Sequence, residues 1–302
     1  MEKTNLKQAK ARLTVEGKLS EKKLKEVQED GQNIIKGSLT IQTDSMNFVE
    51  MSVYVSELKK DKEPNPAYKG IKTVMEEFKS IPEVGSEDAT LVQVRNGQIR
   101  PNTYYDQRGT KHEIVRYSAS YFGRVNDPDA FEPKAQFEIE VYISAIKEEF
   151  FKTGENQGEP TGRKIVEGWV PMYNETIEPI VLIAEEDVAD GIEEYEVGQT
   201  VKFIGDARNS RVEKTREIPV KIGKPRIEKV TEYVNELIIT GASEPYDEAA
   251  EFSKGAIDKA LVEREAILAN LKEKATKPKS KTSEMPTQKA TANPNRPMPK
   301  GW

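Results

Sequence analysis

Residues 34–43 read IIKGSLTIQT and residues 164–170 read KIVEGWV. Both are short, rich in β-branched side chains and partly alternating between apolar and polar positions, which is the composition of a half-buried strand. Each carries one glycine inside the run, Gly37 and Gly168. The likeness extends to their surroundings: NIIKGSLTI from Asn33 aligns with KIVEGWVPM from Lys164, and ATLVQVRNGQIR from Ala89 aligns with QTVKFIGDAR from Gln199.

Around the first stretch, strands are expected over 12–17 (RLTVEG), 34–43, 47–55 (NFVEMSVYV), 90–95 (TLVQVR) and 113–122 (EIVRYSASYF). One helical segment, 68–78 (YKGIKTVMEEF), falls between the third and fourth. Five strands with a helix in that place is the element order of an OB-fold barrel. The second half repeats it, with strands over 136–146, 164–170, 177–184, 200–204 and 218–222 and a helix over 187–195. An internal duplication with unequal loops is the economical account. Residues 233–240 (YVNELIIT) read as an extra strand or as the closing strand of the second half.

The expected fold class is therefore mainly β: two tandem OB-fold-like five-stranded barrels, each with one helix between strands 3 and 4, plus a C-terminal helix and a disordered tail. The first barrel spans 10–125 and the second 134–242, joined by a short linker at 126–134 with two prolines and three acids. Residues 247–271 form an amphipathic helix whose stripe of Ile257, Leu261, Leu268 and Leu271 packs on the last domain. Residues 272–302 are rich in Lys, Pro, Ser and Thr and hold eight basic and two acidic side chains, so they read as a disordered basic tail.

Composition removes many kinds of chemistry. The 302 residues include no cysteine and one histidine, which excludes a disulfide framework, a thiol nucleophile, iron–sulfur clusters and thiolate or histidine-rich metal centres. No apolar run is long enough for a membrane span and the N-terminus lacks a signal-peptide core, so a cytoplasmic protein is expected. No phosphate-cradling glycine loop is present. The stretch TGENQGEPTGRK at 153–164 reads as a long hairpin loop, the acidic run at 183–196 as a solvated helix face, and His112 as a residue without a role. No cofactor or metal is implied, and nothing argues for an enzyme.

The charge pattern is more informative. The chain has 46 basic against 52 acidic residues, yet 91–124 and 202–229 are both net basic. Both fall on the expected fourth strand, the loop after it and the fifth strand, beside the groove that OB folds use for oligonucleotides. In the first segment Arg95, Arg100, Arg108, Lys111 and Arg116 are interleaved with Tyr104 and Tyr105, which read as loop residues. In the second, Lys202, Arg208, Arg211, Lys214 and Arg216 have Trp169 and Tyr173 as candidate platforms. Cations track phosphates and flat rings stack on bases of any identity, so this combination suits single-stranded nucleic acid. Along 113–122, alternation turns Arg116 outward and leaves Tyr117 as a core or a site residue.

Two OB-like halves, the hairpin DGQNIIKGSLTIQT, the run VRNGQIRPNTYY and a low-complexity tail together resemble the tandem OB-fold single-stranded DNA-binding proteins of bacteriophages of Gram-positive hosts. The resemblance implies non-enzymatic coating of single-stranded DNA in replication or recombination, in the host cytoplasm, with polymerase, primase or helicase as partners. Bacterial proteins of this function end in an acidic tip that recruits partners, whereas this sequence ends in the basic PMPKGW. The alternative is a structural or adaptor protein of a virion or replisome whose barrels make protein contacts. A third reading gives the nucleic-acid affinity to the lysine-rich tail.

Overall fold

The computed structural model describes residues 6–152, 156–218 and 226–277. The protein is mainly β. In chain order the first half contains β1 (Ala11–Glu29), β2 (Gln32–Gln42), β3 (Phe48–Ser56), α1 (Pro66–Glu77), α2 (Ile81–Val84), β4 (Leu91–Tyr105), β5 (Lys111–Ser118) and β6 (Gly123–Arg124). The second half contains β7 (Lys134–Phe150), β8 (Pro160–Pro171), β9 (Ile177–Ala184), α3 (Glu186–Ile192), β10 (Thr200–Ile218) and β11 (Arg226–Ala242), followed by α4 (Lys254–Thr276).

Strand pairing in each half returns to its starting strand. β1 pairs β2, β2 pairs β3, β3 runs parallel to β5, β5 pairs β4, and β4 pairs β1 again. The second half follows the same order, from β7 through β8, β9, β11 and β10 back to β7, with β9 and β11 parallel. The two strand rings are joined by β1 and β7, antiparallel from Ala11 opposite Ile139 to Glu16 opposite Lys134, so one eleven-stranded sheet is continuous through both.

Alternation along the strands builds the core. On β1, Leu13, Val15 and Leu19 are fully buried; on β7, Phe137, Ile139 and Val141 are, and the same buried cluster runs through both rings. The glycines shared by the two opening stretches have a steric reason. A Cβ on Gly37, whose φ is +141°, would lie 1.8 Å from the Lys23 carbonyl oxygen; one on Gly168 would lie 2.1 Å from Val141 Cγ1. In each ring the second strand crosses the first too closely for any side chain.

Helix α1 begins at Asn65, whose side chain accepts a hydrogen bond from Ala67 N, with Pro66 at its first position. At its C-terminal end Lys22 of β1 donates to the Met75 and Phe78 carbonyls at 3.0 and 2.7 Å, placing a cation on the negative end of the helix dipole.

Several sequence expectations need correction. The first strand does not stop at residue 17 but continues to Glu29, because Asp30 and Gly31 adopt positive φ (48° and 79°) and form a tight two-residue hairpin turn. The fourth strand runs to Tyr105, and the fifth ends at Ser118 rather than at 122. In the second half, residues 205–218 continue β10, so Ile218 ends that strand and does not open the fifth; residues 219–222 lie outside the described residues. The fifth strand is β11, which contains YVNELIIT. Residues 160–164 belong to β8, shortening the expected hairpin loop, part of which (153–155) is outside the described residues. Helix α4 runs past 271 to Thr276; residues 278–302, expected as a disordered tail, lie outside the described residues.

Candidate nucleic-acid interface

Strands β4 and β5 form an antiparallel pair whose outer face holds most of the first basic segment. Arg100 lies directly opposite Arg116, and Tyr104 opposite His112. Both arginines are exposed, and among the described residues no carboxylate comes within ion-pair distance of either. Like charges directly opposed across a strand pair destabilise it unless something neutralises them, so this face is suited to an anion.

Tyr104 and Tyr105, expected in a loop, stand on the last two positions of β4. The Tyr104 ring stacks on His112 at 5.0 Å between centroids, with 17° between planes. His112 has a partner after all, since its Nε2 lies 3.3 Å from Asp106 Oδ2. Asp106 also accepts from Arg108 N and Thr110 N, both at 2.9 Å, and these bonds, that from Thr110 foremost, hold its carboxyl below the usual aspartate range. The turn that presents Arg108 is thus fixed by one carboxylate, with Gly109 supplying a positive φ of 79°. Lys111 forms an ion pair with Glu113, and Arg95 donates to Gln93.

Sequence reasoning missed the adjoining face of β1, β2 and β3. Lys25 is opposite Lys36, which is opposite Tyr54, and Tyr54 is 63% exposed with its hydroxyl 3.1 Å from Glu29 Oε2. Lys36 also pairs with Glu29, and that hydrogen bond is the main reason the Glu29 carboxyl is held below its usual range. The signal was the Asp30–Gly31 dipeptide: read as a tight turn, it makes 18–29 a strand and turns Lys23 and Lys25 to one side.

The second ring reaches over this face. The hairpin of β10 and β11 approaches the β2–β3 turn, where Asn47 Nδ2 donates to the Ala207 carbonyl at 3.0 Å and Asn47 Oδ1 accepts from Asn209 N at 2.7 Å. Between the hairpin and the first ring lies a cavity of about 670 Å³, lined by Phe48, Arg116 and Tyr117 below and by Asn209 and Asn235 above. Tyr117 is buried in the core as well as lining the cavity, and burial pushes its hydroxyl up to about 12.

The other expected second-half residues are not brought together. Trp169 is half-buried beneath the Arg264 guanidinium, 5.4 Å from its ring centroid, and is not open for stacking. Tyr173 is 69% exposed in a 3-10 turn, Arg208 is neutralised by Glu185 at 2.8 Å, and Lys202 is half-buried opposite Glu140. Arg211, Lys214 and Arg216 are assigned to β10, and their side chains lie outside what the structure describes.

Arg264 itself was not anticipated. It is buried on α4, donates to the Ile177 carbonyl at 3.0 Å and to Thr103 Oγ1 at 2.6 Å, and lies 3.2 Å from Glu178 Oε2. Thr103 stands on β4 and Glu178 on β9, so one guanidinium ties the helix to both rings. A charged residue four places after Ala260, on the apolar stripe of the helix, was the available sign.

Among the described residues no helix is long and apolar enough to cross a membrane, and no group of three or more acidic or histidine side chains is placed to hold a metal ion.

These features describe a mainly β protein with two interlocked strand rings and a basic, tyrosine-bearing face. The chain belongs to the YorF family, whose model matches residues 10–274. No curated protein matches the sequence. Among solved structures, the single-stranded DNA binding protein from Thermus aquaticus is 11% identical, with 82% of this chain and 99% of that one covered and a TM-score of 0.47. A deletion variant of that protein is also 11% identical, covering 80% and 97% at 0.45. A replication protein A heterotrimer bound to ssDNA is 12% identical, covering 87% and 70% at 0.22. At these identities and scores the likeness assigns neither a fold nor a ligand to this chain.

Proposed function

We propose that this YorF-family chain is a non-enzymatic, sequence-tolerant single-stranded DNA-binding protein that coats single strands during replication or recombination. The observation that carries the reading is the pair Arg100 and Arg116, opposed across β4 and β5 without a carboxylate partner among the described residues, with Tyr104 four residues further along β4 on the same face. Two opposed cations without a carboxylate suit a phosphate, and an aromatic further along the same strand pair offers a stacking surface indifferent to base identity. On the neighbouring strands Lys25 and the exposed Tyr54 ring adjoin Lys36, which is already paired with Glu29.

In this reading the strand rings are tandem OB-fold barrels, spanning about 10–125 and 134–242 and derived from an internal duplication. The parallel third-to-fifth strand pairing in each half supports it. The protein acts in the cytoplasm, where polymerase, primase or helicase are the partners such a coat would meet. The test is fluorescence anisotropy with a labelled ~30-mer oligo-dT across a salt series, with duplex as competitor. Tight, salt-sensitive binding that duplex cannot compete away is expected; no binding at low salt would leave the rings as protein-contact modules.

A further inference from the structure

We propose that the cavity between the first ring and the β10–β11 hairpin receives one unstacked nucleobase of the bound strand, with the Asn209 side-chain amide as its hydrogen-bond donor. This rests on the single-strand reading above and names a base-holding pocket within it. The cavity, about 670 Å³, falls in the ~300 to 1,000 Å³ range of small-molecule sites. Its roof is made by Asn209 and Asn235, which are direct cross-strand partners on the hairpin, and Asn47 fixes that roof through its two hydrogen bonds to the β10 backbone.

The decisive atom is Asn209 Nδ2. It is shielded from solvent and has no hydrogen-bond partner among the described residues. The Tyr117 hydroxyl is the neighbour it comes nearest to bonding, and that interaction lowers the hydroxyl against the larger effect of burial. A buried donor left unpaired is costly, so one retained in a fold calls for an acceptor that the chain itself does not supply.

The remaining lining is mixed. Glu21 is ion-paired with Lys23, which lines the cavity with it, and Glu50 stands beside them on the floor, where a carboxylate can accept from ring or exocyclic N–H groups. Phe48 and Tyr117 supply apolar ring surface. Arg116 lines the cavity and faces Arg100 on the outer strand pair, so the phosphates stay outside while the base turns in.

The experiment compares the full chain with its Asn209→Ala and Asn209→Asp variants, titrated against oligo-dT and against an abasic oligomer of equal length with the same phosphates. Circular dichroism and Tm establish folding. The expected result is a roughly five- to tenfold loss of oligo-dT affinity in both variants, unchanged affinity for the abasic strand, and no fall in Tm for Asn209→Ala, which removes an unpaired donor. Equal losses on both oligomers, or no loss on either, would overturn the base pocket while leaving single-strand binding intact. Failure of the unaltered protein to bind either oligomer would overturn the single-strand reading and the pocket with it.

Discussion

Arg100 and Arg116 face each other across a strand pair with no carboxylate among the described residues to neutralise them. Arg116→Gln removes the repulsion, so the variant should be as stable as the parent or gain up to ~0.5 kcal/mol, judged by urea denaturation. Its oligo-dT affinity should fall, with the log–log salt slope reduced by about 1 because one fewer phosphate is neutralised. A lower stability with an unchanged slope would place Arg116 in the fold and not in the interface. Gly168 gives the opposite kind of test. Its Cβ position is 2.1 Å from Val141 Cγ1 and 2.8 Å from the Tyr142 carbonyl oxygen, so Gly168→Ala must push two strands apart and should cost ~2 kcal/mol or more, read as a lowered denaturation midpoint with an unchanged m-value.

Among elements, α4 packs through Ala256, Ile257 and Ala260 and is anchored by the buried Arg264. Arg264 joins Thr103, Ile177 and Glu178 while lying over Trp169. Arg264→Ala leaves Glu178 without its cation in a largely dry junction and should cost ~3 to 5 kcal/mol, read from the same urea denaturation. Arg264→Lys keeps the charge but cannot form the forked contacts or cover the indole, so it should restore only part of the loss; full restoration would reduce the role to charge alone. The short helix α2 carries a pH signal. Glu83 accepts from Ser80 N at 2.7 Å and Ser80 Oγ at 2.8 Å in a capping box, which holds its carboxyl at about 2. Between its ordinary value of 4.5 and about 2, the unfolded chain binds the proton and the folded chain does not. The capping contribution is therefore present above about 4.5 and lost as pH falls towards 2. Glu83→Gln should flatten that part of the acid stability profile, by a modest amount because the side chain is partly exposed.

For the whole molecule, β1 decides how the rings behave together. Its N-terminal half pairs with β4 on one edge and β7 on the other, so neither ring can open without disturbing the other. Unfolding should be one cooperative transition: far-UV circular dichroism and Trp169 fluorescence, followed in a Trp302→Phe background, should give the same midpoint. Two separated midpoints would show that the rings unfold independently.

Local chemistry made much of this legible in advance. The β-branched stretches around Gly37 and Gly168, the helix after Asn65–Pro66 and the gathering of arginines with tyrosines near 100–116 are written in neighbouring residues, and periodicity or turn preference reads them directly. Strand length was less legible: KLSEKKLKEVQE has few β-branched residues, and it is a strand because β2 and its two-residue turn hold it there. Other features depended on residues from 16 to more than 160 positions apart. That Arg100 meets Arg116, that Trp169 lies under Arg264, and that Asn209 of one ring roofs a cavity on the other follow from sheet register and helix docking. Local pattern was enough to place the centres of most strands, though not their ends or the fifth strand of the second half, and to say which side chains carried charge. Which of those charges face one another was set by the assembled sheet, because long-range pairing depends on how whole strands bury their apolar faces together.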